Sequence, residues 1–203
     1  MSFKLIYETK NFADEGMLKN IWGEHVVMPH WHFGQKSNND TVYPMWVQNF
    51  YDTRNGQYKE NASQTLVQVG DLFLDMCPPE YIMVRSMIAG NTYGQDGDIH
   101  QDWQAANESL TGVLYLNRRW EDNWGGETVV YDADPKEQGV GSMHKETEIS
   151  KFEAGKLILF DGYNHHIGKA PQRACGELRC ILAMQAVRQD AWQKHLDKMR
   201  NKS

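Results

Sequence analysis

From about residue 81 onward, the apolar residues of the chain fall in short runs that are separated by turn-forming residues. These runs are rich in β-branched, leucine and aromatic side chains, which is typical of strands. They are YIMVRSM (81–87), TGVLYLN (111–117), ETVVYD (127–132), KLILFDG (156–162) and RCILAMQAV (179–187). Glycines around 94–97, 125–126 and 139–141 supply the corners. Short strands with Gly-rich corners predict an antiparallel double-stranded β-helix (jelly roll) rather than alternating strands and helices.

Three other segments place apolar residues at helical spacing and predict amphipathic helices. They are residues 12–23, the region within 61–76, and residues 190–200. The sequence therefore predicts a mainly β fold with flanking α, in which N- and C-terminal helices buttress the jelly roll. We expect one domain over residues 1–203: helical and irregular support over 1–80, the jelly-roll catalytic core over 81–187 and a C-terminal helix over 188–203.

Composition narrows the classes of function. The 203 residues suffice for one buried core, and the formal net charge of −6 without a Lys/Arg block does not indicate a nucleic-acid partner. No apolar stretch approaches the ~18 residues of a membrane span, and the N-terminus lacks a signal-peptide core. Three cysteines without a CxxC motif favour reduced thiols, hence a cytoplasmic location. The oligomeric state stays open.

The candidate chemistry begins at His100-Gln101-Asp102. On a strand or at its end, residues i and i+2 project to the same side, so an imidazole and a carboxylate can bind one ion. His165-His166 follows the predicted strand KLILF and offers a third ligand. Two histidines and one carboxylate leave open positions on the metal, which suits Fe(II) that must bind a co-substrate and dioxygen.

Two other segments that contain histidine have weaker support as metal sites. His195-Leu196-Asp197 repeats the His-x-Asp spacing, but it lies in the predicted C-terminal helix, where i and i+2 diverge. His30 and His32 can share one face of a strand, but no third ligand is obvious near them. The metal-site hypothesis therefore rests on His100 and Asp102.

Residues 81–187 resemble the Fe(II)/2-oxoglutarate-dependent dioxygenases, especially the prolyl-hydroxylase-like branch. The segments that carry this resemblance occur in the order of the family. They are NTYGQDGDIHQDW, GVLYLNRRWEDNWGGETVVYD, FEAGKLILFDGYNHHIGKAP and ELRCILAMQ. The N-terminal third carries no such resemblance.

The resemblance implies a role for individual residues. His100 and Asp102 match the proximal iron ligands, and His166 matches the distal ligand, with His165 as the alternative. The basic residue that binds the distal carboxylate of 2-oxoglutarate matches Arg179, which opens RCILAMQAV. That arginine follows the histidine pair at a greater distance than is usual in the family, which leaves Arg173 as an alternative.

Tyr115, in LYLN, resembles the strand tyrosine that hydrogen-bonds the same carboxylate in these enzymes. The competing interpretation is a core aromatic residue whose hydroxyl is satisfied elsewhere.

The resemblance implies a hydroxylase that uses Fe(II), 2-oxoglutarate and dioxygen and releases succinate and CO2, with ascorbate as a candidate reductant. Its substrate would be a peptidyl prolyl residue, a free amino acid or another small molecule. The alternative is a cupin-like metal-binding protein without 2-oxoglutarate chemistry. Loops near 31–45, 118–126 and 133–150 are the expected rim of the site.

Overall fold

The computed structural model describes residues 5–28, 30–37, 42–131 and 147–201. Its three α-helices are α1 (Glu15–Ile21), α2 (Gln64–Asp75) and α3 (Gln189–Arg200). Its strands are β1 (Tyr7–Thr9), β2 (His32–Gln35), β3 (Met45–Asn49), β4 (Tyr51–Asp52), β5 (Gln57–Tyr58), β6 (Tyr81–Asn91), β7 (Ser109–Tyr115), β8 (Thr128–Tyr131), β9 (Thr147–Ser150), β10 (Leu157–Asp161), β11 (His165–Gly168) and β12 (Arg179–Arg188). The predicted mainly β fold is confirmed.

The strands form two main antiparallel sheets. The larger has seven strands in the order β1-β10-β7-β12-β6-β3-β2, and the smaller has the order β11-β8-β9. Strands β4 and β5 form a separate short pair. Neighbours in these sheets are rarely consecutive in sequence, as expected when a chain winds between the two sheets of a jelly roll.

Alternation along the strands gives the large sheet two different faces. On β6, Ile88 joins a buried core that also contains Leu66 and Phe73 of α2. The residues on either side of it, Met87 and Ala89, line a cavity on the opposite face. Successive side chains of a strand point to opposite faces. The helices therefore cover one face of the large sheet, and the cavity occupies the other.

The predicted helices are present, with adjusted boundaries. Asp14 caps α1 by accepting a hydrogen bond from the backbone N–H of Met17, and a π-helical turn over Trp22–Val26 extends this segment. Ser63 caps α2 in the same way through the N–H of Leu66. Both serine and aspartate are favoured at this position because they satisfy a free N–H of the first helical turn.

The short strands β1, β9 and β11, and the N-terminal strands β2 to β5, were not delimited by the sequence pattern. Each has five residues or fewer, which is too short to show a clear period. Their partners in the sheets define them instead. No helix in the described ranges is long and apolar enough to cross a membrane.

Candidate active site

A cavity of about 240 Å³ lies between the two sheets. Its floor comes from alternate residues of the central strands of the large sheet, and its opposite wall comes from β8 and β11 of the smaller one. The residues that line it are Gln35, Lys36, Ser37, Met45, Asn49, Arg85, Met87, Ala89, Asn91, Gly97, His100, Asp102, Thr111, Val113, Thr128, His166, Gly168, Arg179, Ile181 and Ala183. Gln35 to Ser37 and Met45 belong to the rim predicted at 31–45, whereas most of the predicted rim at 133–150 lies outside the described residues.

Backbone hydrogen bonds, rather than a regular strand, place His100 and Asp102. The N–H of His100 donates to the carbonyl of His166 (3.1 Å), and the N–H of His166 donates back to the carbonyl of His100 (2.9 Å). The N–H of Asp102 donates to the carbonyl of Gly162 (2.9 Å). The sequence predicted that His100 lies on or at the end of a strand, whereas the structure has a single β-bridge between His100 and His166. This bridge holds the His-x-Asp segment against β11.

The three side chains meet at the cavity wall. One ligand atom from each of His100, Asp102 and His166 lies within 4.8 Å of the others. His100 Nε2 is 3.9 Å from Asp102 Oδ1, and His166 Nε2 is 3.5 Å from Asp102 Oδ2. Among the described residues, this is the one group of three or more histidine, cysteine, aspartate or glutamate residues with such spacing. Within the described ranges, His30 and His32 have no third residue of this kind nearby.

Hydrogen bonds at the far side of both imidazoles select the nitrogen that faces the metal position. His100 Nδ1 lies 2.8 Å from the carbonyl of Asp98, and His166 Nδ1 lies 3.0 Å from the carbonyl of Asn164. A carbonyl only accepts, so Nδ1 carries the proton and Nε2 keeps its lone pair. This is the arrangement in which protein histidines bind metals.

The protonation states of His166 and Asp102 also favour the binding of a cation. Burial lowers the pKa of His166 to about 4, against the raising effect of Asp102. Burial alone would raise the pKa of Asp102, but Arg85, both histidines and the Thr111 hydroxyl outweigh it and hold that pKa well below its ordinary value. Near neutral pH the distal imidazole is neutral and the carboxylate is ionised. Two imidazole nitrogens and one carboxylate oxygen that face an open cavity fit non-haem Fe(II).

Two residues that the sequence analysis did not single out orient Asp102. Arg85 Nη2 donates to Asp102 Oδ1 (2.7 Å), and Thr111 Oγ1 donates to Asp102 Oδ2 (2.6 Å). Gln185 adds a hydrogen bond to the backbone carbonyl of Asp102 (3.2 Å). These three lie side by side on β6, β7 and β12, because the register pairs Gln185 with both Arg85 and Thr111. Their signal in the sequence was a polar residue inside an otherwise apolar strand.

Arg179 lies six residues before Gln185 on β12, at the other end of the cavity. It is only 2% exposed, and no acidic side chain in the described part of the chain forms an ion pair with it. Its Nε donates to the carbonyl of Gly126 (2.8 Å), but Nη1 and Nη2 make only long contacts with Asn91 (3.5 Å) and Thr128 (3.4 Å). A buried cation without an anion is costly, so this site favours an anionic ligand.

The alternatives at this end of the cavity are placed differently. Arg173 is exposed and does not line the cavity. Tyr115 is fully buried, and its hydroxyl lies 3.0 Å from Thr128 Oγ1 and 3.1 Å from the carbonyl of Ser150, within hydrogen-bonding reach of both. It does not line the cavity, although the Arg179 guanidinium lies 5.9 Å from its ring centre. The direct contact between Tyr115 and 2-oxoglutarate stays a prediction. The position of Tyr115 favours a role in holding the side chains of Thr128 and Arg179 in place.

His165 and His166 are adjacent on β11 and face opposite ways, as alternation requires. His166 is buried and lines the cavity, whereas His165 is half-buried and does not. Of the pair, only His166 belongs to the cluster with His100 and Asp102. Elsewhere, His25 is buried against Ser63 and His195 is exposed on α3, both away from the cavity.

Comparison with known proteins gives one family. The model of the 2OG-Fe(II) oxygenase superfamily matches residues 87–184, which includes every residue that we have considered as a metal or co-substrate ligand at this cavity. A search of curated protein sequences gives no match.

Solved structures share the fold at low identity. A prolyl-4-hydroxylase from Pseudomonas putida is 18% identical, with a TM-score of 0.61 over 91% of this chain and 92% of its own. A prolyl hydroxylase from Trichoplax adhaerens, bound to a fragment of the oxygen degradation domain of hypoxia inducible factor, is 16% identical, with a TM-score of 0.64 over 92% and 84%. The epimerase SnoN, in complex with Fe3+, alpha ketoglutarate and nogalamycin RO, is 11% identical, with a TM-score of 0.59 over 90% and 78%.

Proposed function

We propose that this chain is an oxygenase of the 2OG-Fe(II) oxygenase superfamily, whose model matches residues 87–184, and that its iron is held by His100, Asp102 and His166. It is a non-haem, Fe(II)- and 2-oxoglutarate-dependent oxygenase. We assign the distal carboxylate of 2-oxoglutarate to Arg179. The substrate that we propose is a peptidyl prolyl residue, a free amino acid or another small molecule, hydroxylated with release of succinate and CO2.

The observation that carries this proposal is the pairing of two features in one cavity. One end holds a metal-binding cluster with ligand atoms within 4.8 Å of one another. The other holds the buried Arg179 guanidinium, which has no acidic partner among the described residues. A ligand with a metal-chelating head and a distant carboxylate matches both ends. The guanidinium fork can take a carboxylate through two parallel hydrogen bonds.

The floor between these ends is apolar. Val113, Ile181 and Ala183 line the cavity there, and they can pack against the methylene carbons of 2-oxoglutarate while they exclude water. An iron bound by the cluster would supply activation of dioxygen. The chain itself would hold the metal through two Nε2 atoms and one carboxylate, keep that carboxylate oriented through Thr111, and bind the co-substrate at a fixed angle.

Analogy with proteins of the same fold and the size of the cavity support this class of substrate. The relatives above include one bound to a peptide fragment and one bound to nogalamycin RO. The cavity of about 240 Å³ lies below the ~300–1,000 Å³ usual for drug-sized ligands. The part of the substrate that reaches the metal is therefore small: a single side chain or a small molecule.

The test is the conversion of 2-oxoglutarate to succinate by purified protein with Fe(II), dioxygen and ascorbate. Panels of prolyl peptides, free amino acids and other small molecules are added in turn, and mass spectrometry detects a product that is heavier by one oxygen atom. We expect succinate to depend on Fe(II) and to be lost in His100→Ala and Asp102→Ala. Equal succinate formation in these variants and the wild type would refute the ligand assignment.

We also propose that the protein acts in a reducing compartment. All three cysteines are free thiols, and Cys175 and Cys180 are buried. Burial raises the pKa of Cys77 to about 11 and that of Cys180 to about 12, so neither thiol is reactive at neutral pH. Purification without reductant should leave the protein monodisperse and its thiol count at three; an oxidised disulfide in the isolated native protein would contradict this.

A further inference from the structure

Arg85 is a second cation in the cavity. The proposed binding of 2-oxoglutarate by Arg179 does not explain why Arg85 is there. It lies on β6 opposite Gln185, whereas Asn91 on the same strand lies opposite Arg179. Six residues of strand separate the two levels, or about 20 Å along the backbone. The two guanidinium groups therefore come from opposite ends of the cavity, and one co-substrate carboxylate does not serve both.

The hydrogen bonds of Arg85 leave most of its binding capacity unused. Within the described part of the chain it makes one, from Nη2 to Asp102 Oδ1. Its Nε is buried and has no partner there. A guanidinium carries five N–H donors, and a buried donor without an acceptor carries a free-energy cost. A role confined to Asp102 would leave that cost uncompensated.

The charges around the cavity also favour the binding of a further anion. Among its described lining residues, Lys36, Arg85 and Arg179 are cationic and Asp102 is the one carboxylate. Fe(II) and the 2-oxoglutarate dianion cancel each other, so the loaded cavity keeps two surplus positive charges. A further anion is favoured at such a site.

The position of Arg85 also fits a route for substrate. It lines both the cavity and an adjoining pocket of about 310 Å³, which Tyr51, Lys59 and Trp192 also line. A molecule that enters from this pocket meets Arg85 next to the metal ligand Asp102. Lys59 adds a further positive charge on the way.

From these observations we propose that the substrate is a small molecule with a free carboxylate, such as a free amino acid, and that Arg85 binds this carboxylate. The inference rests on the proposed function and narrows its substrate to exclude a prolyl residue within a peptide. The carboxylate accepts hydrogen bonds from the guanidinium N–H groups of Arg85 that Asp102 leaves free. Bound there, it lies beside the metal and leaves the Arg179 end to 2-oxoglutarate.

The experiment compares each acid with its amide. Wild-type protein with Mn(II) and 2-oxoglutarate is first screened by melting temperature against the free amino acids, other small carboxylic acids and their primary amides, together with prolyl peptides. Acids that raise the melting temperature are then assayed with Fe(II) for succinate formation. We expect at least one acid to bind and react, with kcat/KM about tenfold to a hundredfold above that of its amide, which is the range for one lost charged hydrogen bond.

Arg85→Gln then separates substrate binding from support of Asp102. Any effect through Asp102 lowers kcat/KM for acid and amide by the same factor and leaves their ratio unchanged. A direct contact makes the ratio collapse towards one, as in a double-mutant cycle. Arg85→Lys keeps a cation and should restore part of the preference. The matched control is Lys194→Gln on α3, an exposed cation away from the cavity, which should leave the ratio unchanged.

The inference is overturned if the ratio survives in Arg85→Gln, if no acid raises the melting temperature of the wild type, or if prolyl peptides react and free acids do not. Failure of the proposed function would give a different result. If the protein is not a 2-oxoglutarate-dependent oxygenase, the wild type forms no succinate from 2-oxoglutarate with any substrate. In that case 2-oxoglutarate itself also does not raise the melting temperature in the presence of Mn(II).

Discussion

Replacement of Arg179 by methionine tests the proposed 2-oxoglutarate site without an appreciable change in the volume of the core. Methionine fills much of the same space but donates no hydrogen bond. Two hydrogen bonds to a carboxylate contribute about 1.5–3 kcal/mol each, so their loss corresponds to roughly a hundredfold or more in affinity. We therefore expect KM for 2-oxoglutarate to rise by at least about a hundredfold.

This variant should still fold. The wild-type protein buries the Arg179 cation without an acidic partner in the described ranges, and removal of that cation offsets the loss of the hydrogen bond to Gly126. The melting temperature without 2-oxoglutarate should stay within a few degrees of the wild-type value, while the increase that 2-oxoglutarate causes in the presence of Mn(II) disappears.

Arg173→Met is the matched control, because it removes an arginine from the neighbouring loop at an exposed position. Initial rates of succinate formation across a range of 2-oxoglutarate concentrations give KM for all three proteins. Arg179 is not the anchor of 2-oxoglutarate if Arg173→Met raises KM as much as Arg179→Met does, or if Arg179→Met binds 2-oxoglutarate normally.

Three further predictions follow from particular contacts. His166→Ala should lose stoichiometric Mn(II) binding while His165→Ala keeps it, as measured by equilibrium dialysis; equal loss would leave the distal ligand unassigned. Thr111→Val removes the hydroxyl that orients Asp102 and should weaken metal binding about tenfold to a hundredfold, and an unchanged metal Kd would contradict this. Burial lowers the pKa of His25 below 6.5. As the pH falls below that value, the unfolded chain takes up a proton that the folded chain resists, so the free energy of unfolding decreases; urea titrations should show a shallower decrease in His25→Gln, and an identical slope would exclude this histidine as the cause.

Much of the architecture was predictable from sequence because the central strands are apolar over most of their length. β6, β7, β10 and β12 each overlap a run that the pattern marked. These strands lie side by side in the large sheet, so burial on both faces produces a strong signal. The edge strands are short, and their existence depends on partners that are distant in sequence.

Less of the site than of the fold was predictable from the sequence. His100-x-Asp102 followed by a histidine pair gave the cluster, but the sequence did not show that a single bridge to His166 would position it. The pairing of Arg85 with Asp102 spans 17 residues and depends on strand register. The predicted role of Tyr115 rested on resemblance, whereas the structure gives its hydroxyl the partners Thr128 and Ser150.

A crystal structure of the protein with Mn(II) and 2-oxoglutarate, grown without oxygen, would show directly where the metal ion and the co-substrate bind. We expect one metal ion bonded to Nε2 of His100, Nε2 of His166 and one oxygen of Asp102, with the far carboxylate of 2-oxoglutarate on the Arg179 guanidinium. A metal ion bound elsewhere, or a co-substrate whose carboxylate lies away from Arg179, would contradict it.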